Sequence, residues 1–228
     1  MKVFIIHGWT YSLDKWTSLV SILEQQGIEV VQLHVPGLTT TTDHAWDMPG
    51  YVAWLKQQLD GETRPIVIGH SNGGRIALNY AVAYPNSLEK LILIDSAGIY
   101  HGDIVSKLKR GTFKAVAKLG KPLAKVPLIK KVFYKLIGAK DYYRASEDMK
   151  QTMKNMLAAD KQLDVSSIAV PVQLIWGADD TATPIADAKK LQARLAHATL
   201  DVIPGTGHSP HATHPSEVAA IIMKALKS

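Results

Sequence analysis

The stretch Ile66-Val67-Ile68-Gly69-His70-Ser71-Asn72-Gly73-Gly74 decides how the rest of the chain is read. Its first three residues form a short, continuous apolar run, as expected of a strand buried on both faces. Glycine then flanks a G-x-S-x-G pattern, and a helix-period segment follows over Asn72–Tyr84. Strand, sharp turn and helix in this order place Ser71 in a strained turn that lifts its hydroxyl above a sheet. Gly69 and Gly73 let strand and helix approach without Cβ clashes. The Asn72 backbone N–H, at the helix start, points toward an oxyanion formed at Ser71.

The same alternation extends in both directions. Val3–Ile6, Glu29–His34, Lys90–Ile94, Val172–Trp176 and Leu200–Ile203 read as further strands. Leu13–Gln26, Pro49–Asp60, Pro184–Ala196 and His214–Lys227 read as helices between them. This is the pattern of an α/β fold, a mostly parallel sheet of about six strands covered by helices. Right-handed crossovers place the strand C-termini on one edge, where open α/β sheets bind ligands. From about Tyr100 to Ser167 the rhythm fails. Gly111, Gly120, Pro122, Pro127 and Gly138 interrupt short helical segments there, which predicts a helical cap inserted into the core. The expected division is a core of residues 1–99 and 168–228 with a cap over 100–167.

Composition narrows the function classes. The chain has 228 residues, 46% of them hydrophobic and 20% charged, which suits a globular fold rather than disorder. It has no cysteine, which excludes a disulfide scaffold, a thiol nucleophile and a cysteine-ligated zinc. The apolar start ends at His7-Gly8, too short for a signal peptide, and no segment approaches the length of a membrane span. The expectation is a cytoplasmic protein. No glycine-rich phosphate fingerprint or nucleic-acid motif occurs, so neither a nucleotide cofactor nor nucleic acid is expected.

Three more segments fall just after strands. His7-Gly8-Trp9 follows the first, and the Trp9 N–H is a candidate second oxyanion donor. Trp176-Gly177-Ala178-Asp179-Asp180 and Gly205-Thr206-Gly207-His208 follow the last two. A serine nucleophile needs an imidazole to take its proton, and the imidazole needs a carboxylate to hold it. Serine, aspartate and histidine occur here in that order, each in a loop at the same expected edge. His211 and His214, near His208, lack carboxylates at ligand spacing. They are expected at the surface or pocket rim, with no metal site.

With these residues in place, the sequence resembles the α/β-hydrolase superfamily, specifically small carboxylesterase-like serine hydrolases with a helical cap. The resemblance spans nearly the whole chain. It rests on His7-Gly8-Trp9, Gly69–Gly74, Val170-Pro171 through Trp176–Asp180 with Pro184, and Gly207-His208 with His214-Pro215. Thr152–Asp160 looks like the family's exit from the cap. The resemblance implies Ser71 as nucleophile, His208 as base and Asp180 as acid, with Trp9 and Asn72 forming the oxyanion hole. It favours Asp180 over Asp179, because the family's acid lies four residues past this tryptophan. Asp95 is the other candidate acid. Cleavage of a small-molecule acyl ester or thioester without a cofactor is implied. The alternatives are a triad-bearing protein that binds a ligand or partner with little turnover, and an esterase for carrier-bound acyl groups.

Two departures stand out. The family's leading antiparallel hairpin looks missing or vestigial, and Asn72 replaces a commoner apolar residue. The charge is also uneven. Of the 26 basic and 20 acidic residues, 14 and 4 respectively lie from His101 to Lys154. Lys107, Lys114, Lys118, Lys121 and Lys125 recur at helical spacing, which reads as a solvated basic face over an apolar lid, with docking of an acidic partner or anionic interface as the alternative.

Overall fold

Valine, isoleucine and leucine fill six short runs, and the computed structural model lays them side by side as one parallel sheet. The structure describes residues 1–100 and 145–227. The strands are β1 (Lys2–Ile6), β2 (Glu29–Leu33), β3 (Ile66–His70), β4 (Lys90–Ile94), β5 (Val172–Gly177) and β6 (Ala198–Ile203). Their order across the sheet is β2-β1-β3-β4-β5-β6, with every neighbouring pair parallel. All six lie within a residue or two of the expected runs.

Side-chain alternation builds a core on each face. Phe4, Ile6, Val67, Leu91, Leu93, Leu174 and Trp176 enter one apolar cluster. Val3, Ile5, Ile66, Ile68, Ile92, Ile94 and Ile175 enter the other. Neighbours along a strand point to opposite faces, so a strand covered on both sides reads as a continuous apolar run. The inner strands β3, β4 and β5 are buried throughout, while the edge strands β2 and β6 are partly open.

The helices cover both faces. α1 (Thr17–Gln25) follows a 3₁₀ turn at Asp14–Trp16 where one longer helix was expected. α2 (Met48–Gln58) is capped by Asp47, whose carboxylate accepts from the Gly50 N–H at 2.8 Å. α3 (Asn72–Ala83) leaves the sharp turn after β3. α4 (Glu147–Ala159) starts at Ser146, which accepts from the Met149 N–H. It buries Met149, Thr152, Met153 and Met156, a helical stripe whose three methionines enter the same cluster as the sheet. α5 (Ile185–Arg194), the short α6 (Pro210–Thr213) and α7 (Pro215–Lys227) complete the described helices. No helix among the described residues is long and apolar enough to cross a membrane. Of the expected cap over 100–167, residues 101–144, with Lys107 to Lys125, lie outside the described residues, while α4 and a 3₁₀ turn at Val165–Ser167 belong to its described part.

Candidate active site

β3 ends at His70, and the next residue makes the turn. Ser71 has φ 51° and ψ −116°, a left-handed backbone that costs a non-glycine residue about 1–3 kcal/mol. Several bonds hold it there. The Ser71 N–H donates to the Ile94 carbonyl at the end of β4, and its own carbonyl accepts from Ala97 at 2.9 Å and Arg75 at 3.2 Å. Steric closeness holds it as well: a Cβ on Gly73 would run into the Ile6 carbonyl oxygen of β1. Only glycine lets α3 start so near the sheet.

Two loops bring the partners. Asp180 lies three residues past β5 and is buried, whereas Asp179 is exposed. Asp180 Oδ1 accepts from the Ala182 and Thr183 N–H groups at 2.7 and 3.1 Å, and Oδ2 accepts from the Thr183 hydroxyl at 2.6 Å. The His208 loop is stitched to this one, since the Asp179 N–H donates to the Thr206 carbonyl at 2.8 Å. The result is a continuous chain. His208 Nδ1–H donates to Asp180 Oδ2 at 2.7 Å, and Ser71 Oγ lies 2.8 Å from His208 Nε2. Burial opposes the charge on Asp180, but bonds from His208 and Thr183 outweigh it and hold the carboxyl below its ordinary range.

The loop after β1 also lies against the serine. A Cβ on Gly8 would sit 3.1 Å from the Ser71 Cβ, which brings the His7-Gly8-Trp9 segment alongside the turn. His7 is buried, which drives its pKa down to about 4. Its Nδ1–H donates to the Gly8 carbonyl at 2.7 Å, and its Nε2 accepts from the Thr39 hydroxyl at 2.9 Å. The Gly8 carbonyl and the Trp9 N–H belong to one trans peptide and point in opposite directions. His7 thereby fixes where the Trp9 N–H aims.

The Asn72 side chain has a structural task. Its Oδ1 accepts from Arg75 Nη1 at 2.6 Å. Arg75 in turn holds Asp160, at the end of α4, through bonds of 2.7 and 3.0 Å, all of it buried. Breaking one partner of such a pair costs about 3–5 kcal/mol. The expectation for His211 is corrected: it is 2% exposed, stacked on the buried Trp16 at 4.2 Å, rather than at the surface or rim. Burial drives its pKa to about 3. His214 is half-buried and bonds Thr213. His70 packs on His211 at 4.3 Å, and its Nε2–H donates to the His208 carbonyl at 2.8 Å. Burial also holds its pKa well below the ordinary range.

Thr183 and His70 were not singled out in the sequence. Thr183 carries a weak signal, since Asp-x-x-Thr before a helix is a turn pattern. His70 carries none, because its partner lies 138 residues away. Asp95, the other candidate acid, is fully buried with φ 43°, and its Oδ1 accepts from the Gly177 N–H at 2.8 Å. His70, Asp95 and His208 bring possible metal-ligand atoms within 4.8 Å of one another. Both His208 nitrogens and His70 Nε2 are already committed to bonds inside the site, so an ion would have to displace them.

The profile of the alpha/beta hydrolase family matches residues 3–221. A monoacylglycerol lipase, ABHD6 of Homo sapiens, is 24% identical over all of this chain and 75% of its own length. A pimeloyl-[acyl-carrier protein] methyl ester esterase of Nitrosomonas europaea is 23% identical over 93% of this chain and 90% of its own. Among solved structures, a bromoperoxidase from Bacillus anthracis superposes with TM-score 0.74 at 19% identity, covering 100% of this chain and 92% of that one. A thermophilic esterase from Thermogutta terrifontis gives 0.71 at 19% identity, covering 100% and 89%.

Proposed function

This chain belongs to the alpha/beta hydrolase family, and from that premise we propose that it is a serine hydrolase that cleaves carboxylic esters through an acyl-enzyme on Ser71. One observation carries the reading: the unbroken bonds from Ser71 Oγ through His208 to Asp180, at 2.8 and 2.7 Å. His208 takes the serine proton as Oγ attacks the acyl carbonyl. Asp180 holds the imidazole in the Nδ1–H tautomer and stabilises the imidazolium that forms. The backbone N–H groups of Trp9 and Asn72 receive the tetrahedral oxyanion, each donor contributing ~10²–10³ in rate. His208 then gives its proton to the leaving alcohol, and water attacks the acyl-enzyme by the same route.

The relatives named as a lipase and as methyl ester esterase support an ester as the substrate. Their acyl groups differ in name, so acyl length is the variable to measure. The test is hydrolysis of p-nitrophenyl esters from acetate to palmitate, with fluorophosphonate labelling alongside. The expected result is turnover and labelling by the wild type, both abolished in Ser71→Ala, with a rate loss of about 10⁴–10⁶. A wild type that neither turns over any ester nor takes the label overturns the proposal.

A further inference from the structure

Asp95 is a second carboxyl beside the first. It sits at the end of β4, fully buried, and Oδ1 is satisfied by the Gly177 N–H. Oδ2 is buried without a hydrogen-bond donor. An ionised carboxylate left this way loses its hydration with nothing in exchange. The groups facing it are the Asp180 carboxylate from the loop after β5, His208 from the loop after β6, and His70 from the end of β3. None supplies it a cation: His70 is kept neutral by burial, and the His208 Nδ1–H is already given to Asp180. Thr183 spans the two residues, its hydroxyl lying 3.0 Å from the Asp95 main-chain carbonyl and 2.6 Å from Asp180 Oδ2, which seats the loop carrying Asp180 against the end of β4. Two adjacent buried carboxyls cannot both ionise, and Asp180 has the donors.

We propose that Asp95 is a positioning residue, a neutral carboxylic acid whose Oδ2–H is donated to the Asp180 carboxylate and keeps that carboxylate aimed at His208. The proton stays on Asp95, so no bond is made or broken during turnover. The catalytic half of this statement rests on the serine-hydrolase reading. The protonation half does not.

The pH behaviour follows. Burial pushes the Asp95 pKa up to about 8, and Asp180 adds to the rise. Above that range Asp95 ionises, repels Asp180 and leaves it without its donor. The unfolded chain holds this group near the ordinary aspartate value. Between about pH 4 and about pH 8 the folded state therefore binds the extra proton, and stability falls as pH rises. His7, His70 and His211 have lowered values and act with the opposite sign, but only below about pH 6.5. From about pH 6.5 to about pH 8 the Asp95 contribution stands apart from theirs. There it shifts the unfolding equilibrium roughly tenfold per pH unit until pH nears 8.

The experiment uses the full chain with two substitutions and two readouts. Asp95→Asn presents an oxygen to Gly177 and an N–H to Asp180, as the neutral acid does; Asp95→Ala presents neither. Kinetically, Asp95→Asn is expected within about threefold of wild type near pH 7 and without its alkaline loss near pH 8, while Asp95→Ala falls by roughly tenfold or more. Equal losses in both variants, or an alkaline limb unchanged in Asp95→Asn, overturn the positioning role. The second readout is independent of activity and uses the Ser71→Ala background with Asp95 intact. Infrared difference spectra between about pH 6.5 and about pH 9 are expected to show loss of a neutral carboxylic acid carbonyl band. Urea unfolding over the same range is expected to show the stability decline, absent when Asp95→Asn is added. Absence of that band overturns the protonated acid whatever the enzyme does; its presence with no ester turnover places the failure in the hydrolase reading.

Discussion

The two halves of the site are built from different materials. The serine half, at the ends of β1, β3 and β4, is shaped by backbone. Ser71 is held by main-chain bonds to Ile94, Ala97 and Arg75, and by the close seating of Gly73 against Ile6. The aspartate–histidine half, at the ends of β5 and β6, is shaped by side chains. Asp180, Thr183 and His208 share side-chain hydrogen bonds across two loops. Backbone geometry is rigid and expensive to alter, because it is shared with the sheet. Side-chain geometry is cheaper to alter but sets protonation. The contrast teaches that position is fixed in one half and charge in the other.

Substitutions can break that contrast, and the largest effect belongs to the charge-setting half. Asp180→Asn keeps the shape and the bonds from the Ala182 and Thr183 backbone N–H groups but offers an amide to His208 Nδ1. A loss of about 10⁴ in kcat is expected, with urea unfolding little changed. A protein that unfolds instead would show that this half also bears structure. Next comes Gly73→Ala in the other half. Its Cβ meets the β1 backbone, so stability rather than chemistry should fail, by roughly 3 kcal/mol or more in urea titration. A folded, stable, merely slower enzyme would erase the distinction. The smallest effect is expected from Thr183→Val, which removes one donor to Asp180 Oδ2 while Ala182 and Thr183 N–H groups remain. A drop of about tenfold in kcat, with a modest change in thermal midpoint, would sharpen the view that charge placement is the task of these loops.

The same contrast explains what was legible in the sequence. Strands β1 to β6 carried dense apolar runs, and burial on both faces leaves no other use for such runs. Ser71 was legible because a strained turn demands glycines at set positions next to it, a local signal. Asp180 could be separated from Asp179 only through the family resemblance, since both neighbours are aspartates; in the structure one is buried and the other exposed. His211 was misread because a histidine in a short loop carries no mark of the Trp16 ring it will stack on. Thr183, His70 and the Arg75–Asp160 pair join residues brought together only by folding. Arg75 and Asp160 are 85 residues apart. Contacts at such separations leave no periodicity along the chain, and the apolar stripe of α4 was hidden by the interruptions that precede it.

The distance in sequence between Ser71 and His208 has a consequence for how the protein is made. They are 137 residues apart, and β6, which delivers His208, is the last strand. At a synthesis rate of ~5–20 residues per second, the serine leaves the ribosome on the order of ten seconds before its base is even polymerised. During that interval Ser71 is an ordinary alcohol with nothing to take its proton. On the proposed serine-hydrolase reading, the nascent chain therefore carries no activated serine during that interval. The bond between Ser71 and His208 can form only once the final strand has docked.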